Sequence, residues 1–158
     1  MDLLKYPIDI FFFCSCTTVP RRHFGAGVTS LLSDIFEEHI LFSGSYDENL
    51  HTWDTRSIKT PLNTLNMDGG IWRIRQRASN DQSSSSRLLA TACMHAGFKL
   101  VDKKEMKILT DYKHESLAYG IDFKSNLSET ITMASCSFYD HMLRIWNVSN
   151  SVDHLIDT

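Results

Sequence analysis

The sequence has no run of lysine or arginine: 16 basic residues stand against 19 acidic ones, a net charge of −3. That balance excludes a strongly cationic face, and with it nucleic acid or an anionic membrane as the expected main partner. No apolar stretch reaches the roughly 18–20 residues needed to cross a bilayer. The nearest approach is IDIFFFCSC within residues 1–20. Asp9 interrupts it and no clean small-residue cleavage site follows, so it reads as a strand or as a segment apart from the fold. Cysteine is scarce. Cys14, Cys16, Cys93 and Cys136 form no CxxC pair and no zinc spacing, so free thiols in a reducing compartment, the cytoplasm, are expected. With HxxxH, HxH and paired Cys/His spacings also missing, no metal or cofactor site is expected. G-x-S-x-G is absent too, and Gly44-Ser45-Tyr46-Asp47 is no nucleophile elbow.

What is present is an ordinary globular composition, 42% apolar and 22% charged, long enough for one domain with a core. It is organised around a repeat. Phe42 to Asp54 reads FSGSYDENLHTWD: a small-residue run, an acidic turn and a strand closing on Trp-Asp. Asp47 stands six residues before Trp53, and Asp140 six before Trp146. In a middle copy, ATACMHAGFKLVD, Val101 takes the Trp position and His95 the turn position. The turn positions 47, 95 and 140 are separated by 48 and 45 residues, the period of a four-stranded β-propeller blade of the WD-repeat kind.

The expected architecture is therefore all-β, about three four-stranded blades, the third incomplete. A divergent segment, 1–22, with an edge strand at 6–13 and a connector at Val19 to Arg22, precedes blades at 23–66, 67–112 and 113–148, and a tail, 149–158, follows. Gly69 and Gly70 directly before Ile71 suggest a tight backbone approach or a positive-φ turn. The Ser-rich stretch 78–86 reads as an exposed, mobile hairpin loop. Closed propellers have 4–8 blades, and three leave two open sheet edges. The chain is thus expected to be a fragment of a larger propeller, with a dimer of half-rings as the alternative.

The strings HILFSGSYDENLHTWDTR, GGIWRI, LLATACMHAGFKL, LAYGIDF and ASCSFYDHMLRIW, in this order, resemble the C-terminal part of the WD-repeat diphthine methyl-esterase family. SYDxxxxxWD alone is common to many WD-repeat proteins. The conjunction of Gly-Gly-x-Trp-Arg, Cys-Met-His-x-Gly-Phe and Cys-Ser-Phe-Tyr-Asp-His is much more specific. The resemblance implies a propeller that hydrolyses the methyl ester of the modified histidine intermediate on elongation factor 2, on the way to diphthamide. The reading from a different class is a non-catalytic WD-repeat scaffold that binds protein partners.

Asp47 and Asp140 have the ordinary task of accepting turn amides, and Trp53 and Trp146 that of packing between blades. His95 breaks the repeat where Asp is the rule, so it is the first candidate for a general base. Asp140, His141 and Cys93 complete the catalytic candidates, with Ser45, Ser137 or Cys93 as nucleophile or a directly activated water. His95 is expected at the propeller mouth, within hydrogen-bond reach of Cys93, Ser45 or Asp140. Trp72, Arg73 and Tyr119 are the substrate-binding candidates, because the implied substrate carries a trimethylammonium group beside its ester and aromatic faces hold such cations.

Overall fold

A computed structural model describes residues 18–78, 87–124 and 130–148. They hold eleven strands: β1 (Val28–Ser33), β2 (Ile40–Ser45), β3 (Asn49–Asp54), β4 (Asn63–Asn66), β5 (Arg73–Gln76), β6 (Leu88–Ala92), β7 (Phe98–Asp102), β8 (Lys107–Tyr112), β9 (Ala118–Phe123), β10 (Ile131–Ser137) and β11 (Leu143–Val148). A short 3-10 helix occupies Arg21–His23, where a plain connector was expected. The strands form three antiparallel sheets, ordered β1-β2-β3-β4, β5-β6-β7-β8 and β9-β10-β11. The all-β expectation holds, as does the three-stranded last sheet among the described residues. The strand expected at 6–13, the Ser-rich loop at 79–86 and the tail from 149 lie outside the described residues. No described helix is long and apolar enough to cross a membrane.

One register runs through all three sheets. Trp53 pairs with Leu41, Val101 with Leu89 and Trp146 with Met133. This alignment puts Asp47, His95 and Asp140 in the β2–β3, β6–β7 and β10–β11 turns, all at one end of the blades. Backbone clasps tie that end together across sheets. The Ile71 N–H donates to the Ser45 carbonyl at 3.0 Å, and the Ala118 N–H to the Met94 carbonyl at 2.8 Å. Each inner strand thus starts against the turn of the preceding sheet.

The middle sheet is covered on both faces, so β6 is buried along its whole length and cannot alternate. Phe42, Leu50, Ile74, Leu89 and Val101 fill the space between the first and second sheets. Ala90, Phe98, Leu100, Ile121 and Met133 fill that between the second and third. Each fully buried Phe or Leu contributes about 1.5–3 kcal/mol. The far face of the first sheet is capped by His23 and Phe24, whose rings lie 5.8 and 5.7 Å from Trp53. The far face of the third is open: Leu143 and Ile145 are 69% and 70% exposed. Ala134 pairs with Ile145 and Cys136 with Leu143, repeating Ala90 with Leu100 and Ala92 with Phe98. The second-sheet copies of these residues are buried under the third sheet.

At the opposite end from the turns, a buried ion pair joins the first two sheets. The Asp34 carboxylate, just after β1, pairs with Lys103. It also accepts the backbone N–H of Phe36 at 2.8 Å and the Gln76 amide at 3.3 Å. Burial alone would raise the Asp34 carboxyl; the hydrogen bonds from Lys103, Phe36 and Gln76 outweigh it and hold the group below its ordinary range.

Candidate functional site

The turn end is built from three hairpin turns and the segments that enter the second and third sheets. In the third sheet the turn anchors a continuous hydrogen-bonded relay. Trp146 Nε1 donates to Ser135 Oγ at 2.6 Å, Ser135 Oγ meets His114 Nε2 at 3.0 Å, and His114 Nδ1 meets Ser137 Oγ at 2.6 Å. Ser137 Oγ then donates to Asp140. With an indole at one end, a carboxylate at the other and a neutral imidazole between them, one set of proton positions satisfies every link. Each group donates toward Asp140, and the His114 proton sits on Nδ1. Burial, then Arg144, pushes His114 below its ordinary value, against the pull of Asp140, which favours this neutral form.

The array contains Ser, His and Asp, yet it is no nucleophilic triad. Ser135 is buried and its oxygen already accepts from Trp146, so a substrate carbonyl has no approach. Asp140 also accepts the Met142 N–H at 3.3 Å. Its carboxyl is held low by Ser137 first and by that amide. Asp140 thus shares the turn-bracing geometry of Asp47, which accepts the N–H of Gly25 at 2.7 Å and of Asn49 at 3.0 Å.

The second sheet replaces this wiring with dry packing. Val101 stands in the Trp position, Thr91 and Cys93 in those of Ser135 and Ser137, and all three are buried. Cys93 Sγ bonds Thr91 Oγ1 at 3.3 Å, and Thr91 Oγ1 donates to the Lys99 carbonyl at 3.3 Å. Burial pushes the Cys93 thiol up to about 11. A thiolate there is almost unpopulated at neutral pH, which removes Cys93 as a nucleophile. His95, with no partner in the sheet below, turns outward. Its side chain is 63% exposed and Nε2 lies 3.9 Å from Glu48 Oε1 in the first-sheet turn. The hydrogen bonds of Cys93, Ser45 and Asp140 go elsewhere, so the hydrogen-bond partner expected for His95 among them is not found; the Glu48 carboxylate stands nearby at 3.9 Å, beyond hydrogen-bond reach. His141 follows Asp140 at φ 56°, on the surface of the third turn.

The glycines before β5 make the close approach foreseen for them. A Cβ on Gly69 would lie 2.7 Å from the Ala96 Cβ, and one on Gly70 would lie 3.0 Å from Met94 Sδ. The positive φ, 57°, falls on the preceding Asp68 instead. Pressed against the 93–97 turn, the segment delivers Trp72 to the turn end, where its backbone N–H donates to the Ala92 carbonyl at 2.8 Å.

Trp72 and Tyr119 come together, with ring centroids 5.3 Å apart at 70°. Tyr46, from the first-sheet turn, joins the other flank at 5.9 Å and 86°. Beyond Tyr119 the row continues through Phe138 at 6.0 Å and Tyr139 at a further 5.2 Å. Arg73 does not join it. It lines a shallow groove of about 290 Å³ with Arg75, Asp122 and Leu143, where Arg75 and Asp122 approach to 3.6 Å. Tyr46, Glu48, Phe138 and Tyr139 had no place in the sequence-derived site. For Tyr46 and Tyr139 the signal was an aromatic residue directly before the turn Asp in both Ser-Tyr-Asp and Ser-Phe-Tyr-Asp.

Comparison with known proteins bears on this arrangement. The human protein "Diphthine methyltransferase" is 38% identical over 122 residues, covering 72% of this chain and 26% of its own length. The mouse protein is 39% identical over 65% of this chain and 22% of its length. The "Diphthine methyltransferase homolog" of Dictyostelium discoideum is 37% identical over 76% of this chain and 35% of its length. This chain is similar to these diphthine methyltransferases over about two thirds to three quarters of its own length. It spans 22–35% of the length of those three proteins. No protein-family model matches it. Among solved structures, the RRP9 WD40 repeats superpose with a TM-score of 0.63 at 17% identity, over 78% of this chain and 36% of that one. That likeness establishes the WD-repeat β-propeller fold. The three most specific parts of the sequence resemblance, 69–73, 93–98 and 136–141, fall at the turn end that carries His95, Glu48 and the aromatic row.

Proposed function

We propose that this chain forms blades of a protein of diphthamide biosynthesis that acts on the methyl ester of diphthine on elongation factor 2. The observation that carries the reading is the relatedness to diphthine methyltransferases in human, mouse and Dictyostelium. Ester hydrolysis is the proposed chemistry: water adds to the ester carbonyl, methanol leaves and a carboxylate remains. His95 is the proposed general base, taking a proton from the attacking water, with the Glu48 carboxylate 3.9 Å away favouring the imidazolium that forms. His141 lies on the third turn as a second source of proton transfer. Arg73 is proposed to contact the carrier protein's backbone or the product carboxylate from its groove. The proposed location is the cytoplasm.

The test uses cells that lack the diphthine methyltransferase activity, complemented with this chain and with the longer protein to which these blades belong. Diphthamide is measured by mass spectrometry of elongation factor 2. Restoration by the longer protein is expected. Failure of that protein to restore diphthamide while it is expressed and folded would overturn the assignment in favour of a non-catalytic scaffold. In the same longer protein, His95→Ala is expected to lower turnover per folded molecule by about 10²-fold. Unchanged turnover would remove His95 from the chemistry.

A further inference from the structure

A groove of about 550 Å³ opens between the first and second sheets at the end opposite the turns, a size usual for ligand sites. Buried Phe42 and Thr52 and half-buried Ile40 lie deep in it. Phe36 and Leu62, 38% and 54% exposed, stand at its mouth. Both sheets belong to this chain, so the groove is complete without a neighbouring blade.

Two aspartates fix its lips. Asp34 accepts the backbone N–H groups of Phe36 at 2.8 Å and Glu37 at 3.1 Å. Asp102 accepts those of Lys104 at 2.8 Å and Glu105 at 3.0 Å. Each also holds a cation, Asp34 that of Lys103 and Asp102 that of Arg87. Lys103 lies over the Phe36 ring, 5.5 Å from its centroid. The lips are thus set before a ligand arrives, and little ordering cost remains for binding. Within the folded chain nothing covers the apolar mouth, and contiguous apolar surface of this kind marks a partner site.

Two features define the partner. β4 is the outer strand of the first sheet, paired with β3 alone among the described residues, and Asn63 at its start lines the groove. An extended peptide can pair its backbone with that open edge. Its side chains on the face shared by Asn63 and Leu65 then point between the sheets. A small apolar molecule leaves the edge unused. Charge supplies the second feature. Lys103 is met by Asp34 and Glu37, and Arg87 by Asp102 and Glu105. Lys104, the remaining cation of the lining, makes no ion pair among the described residues. A carboxylate placed there gains a partner without displacing one, whereas an added cation finds Glu37 and Glu105 already engaged.

We propose that this groove docks an extended segment of a partner protein. The segment adds a strand beside β4, sets one large apolar side chain between Phe36 and Leu62, and brings an acidic residue two positions away, on the same face, to Lys104. The groove opens away from His95, so docking and the chemistry at the turn end do not compete for space. The proposal stands whether or not these blades act on diphthine.

The test pans a phage-displayed library of random peptides of about nine residues, long enough to cover the edge of β4, on the full chain. Enriched peptides are then titrated by fluorescence anisotropy. They are expected to carry Leu, Ile or Phe with Asp or Glu two positions away, and to slow hydrogen exchange at residues 63–66. Leu62→Glu is expected to weaken binding about 10-fold or more. Lys104→Glu should weaken it about 3- to 5-fold at low salt and less at high salt, while Lys104→Arg binds like the parent. Both positions are exposed, and thermal melts equal to the parent's confirm that the variants fold. Three results would each overturn the proposal: no enrichment, enriched peptides that bind Leu62→Glu like the parent, or enriched peptides that ignore Lys104→Glu. Light scattering supplies the last arm. A dimer of the chain that Leu62→Glu dissolves would make a second copy the occupant, and the partner assignment would fall.

Discussion

Removing the Asp34 side chain tests whether the blades are held by more than apolar burial. Asp34 and Lys103 lie 69 residues apart in sequence, and their side chains are 0% and 7% exposed. Deleting one partner strands the other without water, and breaking a buried pair in this way costs about 3–5 kcal/mol. Lys103 keeps a second carboxylate, Glu37, at 3.6 Å, so the lower end applies to Asp34→Asn, about 3 kcal/mol. With a slope near 2 kcal/mol per molar urea, the unfolding midpoint falls by about 1.5 M. Lys103→Met should cost as much, because Asp34 is then left buried with only its amide donors. The double variant should be less damaging than the sum, since an apolar pair of similar volume is often tolerated. The pH dependence has a definite sign. Asp34 titrates below its ordinary value when folded, so its contribution is complete above the unfolded carboxylate value near 4 and is lost as pH falls through the folded value. The gap between parent and Asp34→Asn must therefore be constant from about pH 5 to 8 and shrink on stronger acidification. Urea unfolding followed by circular dichroism at several pH values measures this. A single-variant cost under about 1 kcal/mol, or a gap that widens toward acid, would refute the argument.

Gly69→Ala should destabilise by about 1–3 kcal/mol, because the new Cβ meets the Ala96 Cβ at 2.7 Å with backbone beside it; a thermal melt within error of the parent would contradict the tight approach. In mass-resolved alkylation at pH 8, Cys136 should react while Cys93 stays unmodified until the chain unfolds, since Cys93 is buried with its thiol up at about 11 and Cys136 is exposed. Equal labelling of the two would mean that the second sheet opens readily. His51 and His114 are both pushed below the ordinary histidine value, chiefly by burial. Their share of stability is thus present above about pH 6.5 and lost as pH falls through their folded values. Stability that is flat from pH 7 to 5 would exclude that, and His114→Gln should reduce the slope.

The blades were legible in the sequence because their signals are local. The small-residue run, the turn Asp and the Trp six residues later lie within a dozen positions, and the cross-strand register follows from them. The substitution of His95 for Asp was legible for the same reason. What it would contact was not, because Glu48 belongs to another sheet and reaches His95 only once the sheets are packed. The His114 relay escaped notice because it joins residues 21 and 23 positions apart across a turn and two strands. Asp140 alone carries no mark that distinguishes a brace from an acid. Trp72 and Tyr119, grouped in the sequence as two aromatics suited to a cation, do come into contact once the second and third sheets pack. Arg73 was grouped with Trp72 by adjacency, yet it lines the groove beside β5 instead of joining the aromatic row.

The dry packing beneath His95 has a consequence for how this fold can change over generations. In the first and third sheets the turn carboxylate is wired into the interior through amides or through the His114 relay, so a substitution there is tested first for folding. In the second sheet Thr91, Cys93 and Val101 satisfy themselves without the turn residue. Position 95 is thereby released from the stability constraint on its two counterparts, and selection can act on its surface chemistry alone. A repeat that drops its own structural rule in one copy keeps the scaffold and gains a site free to acquire chemistry.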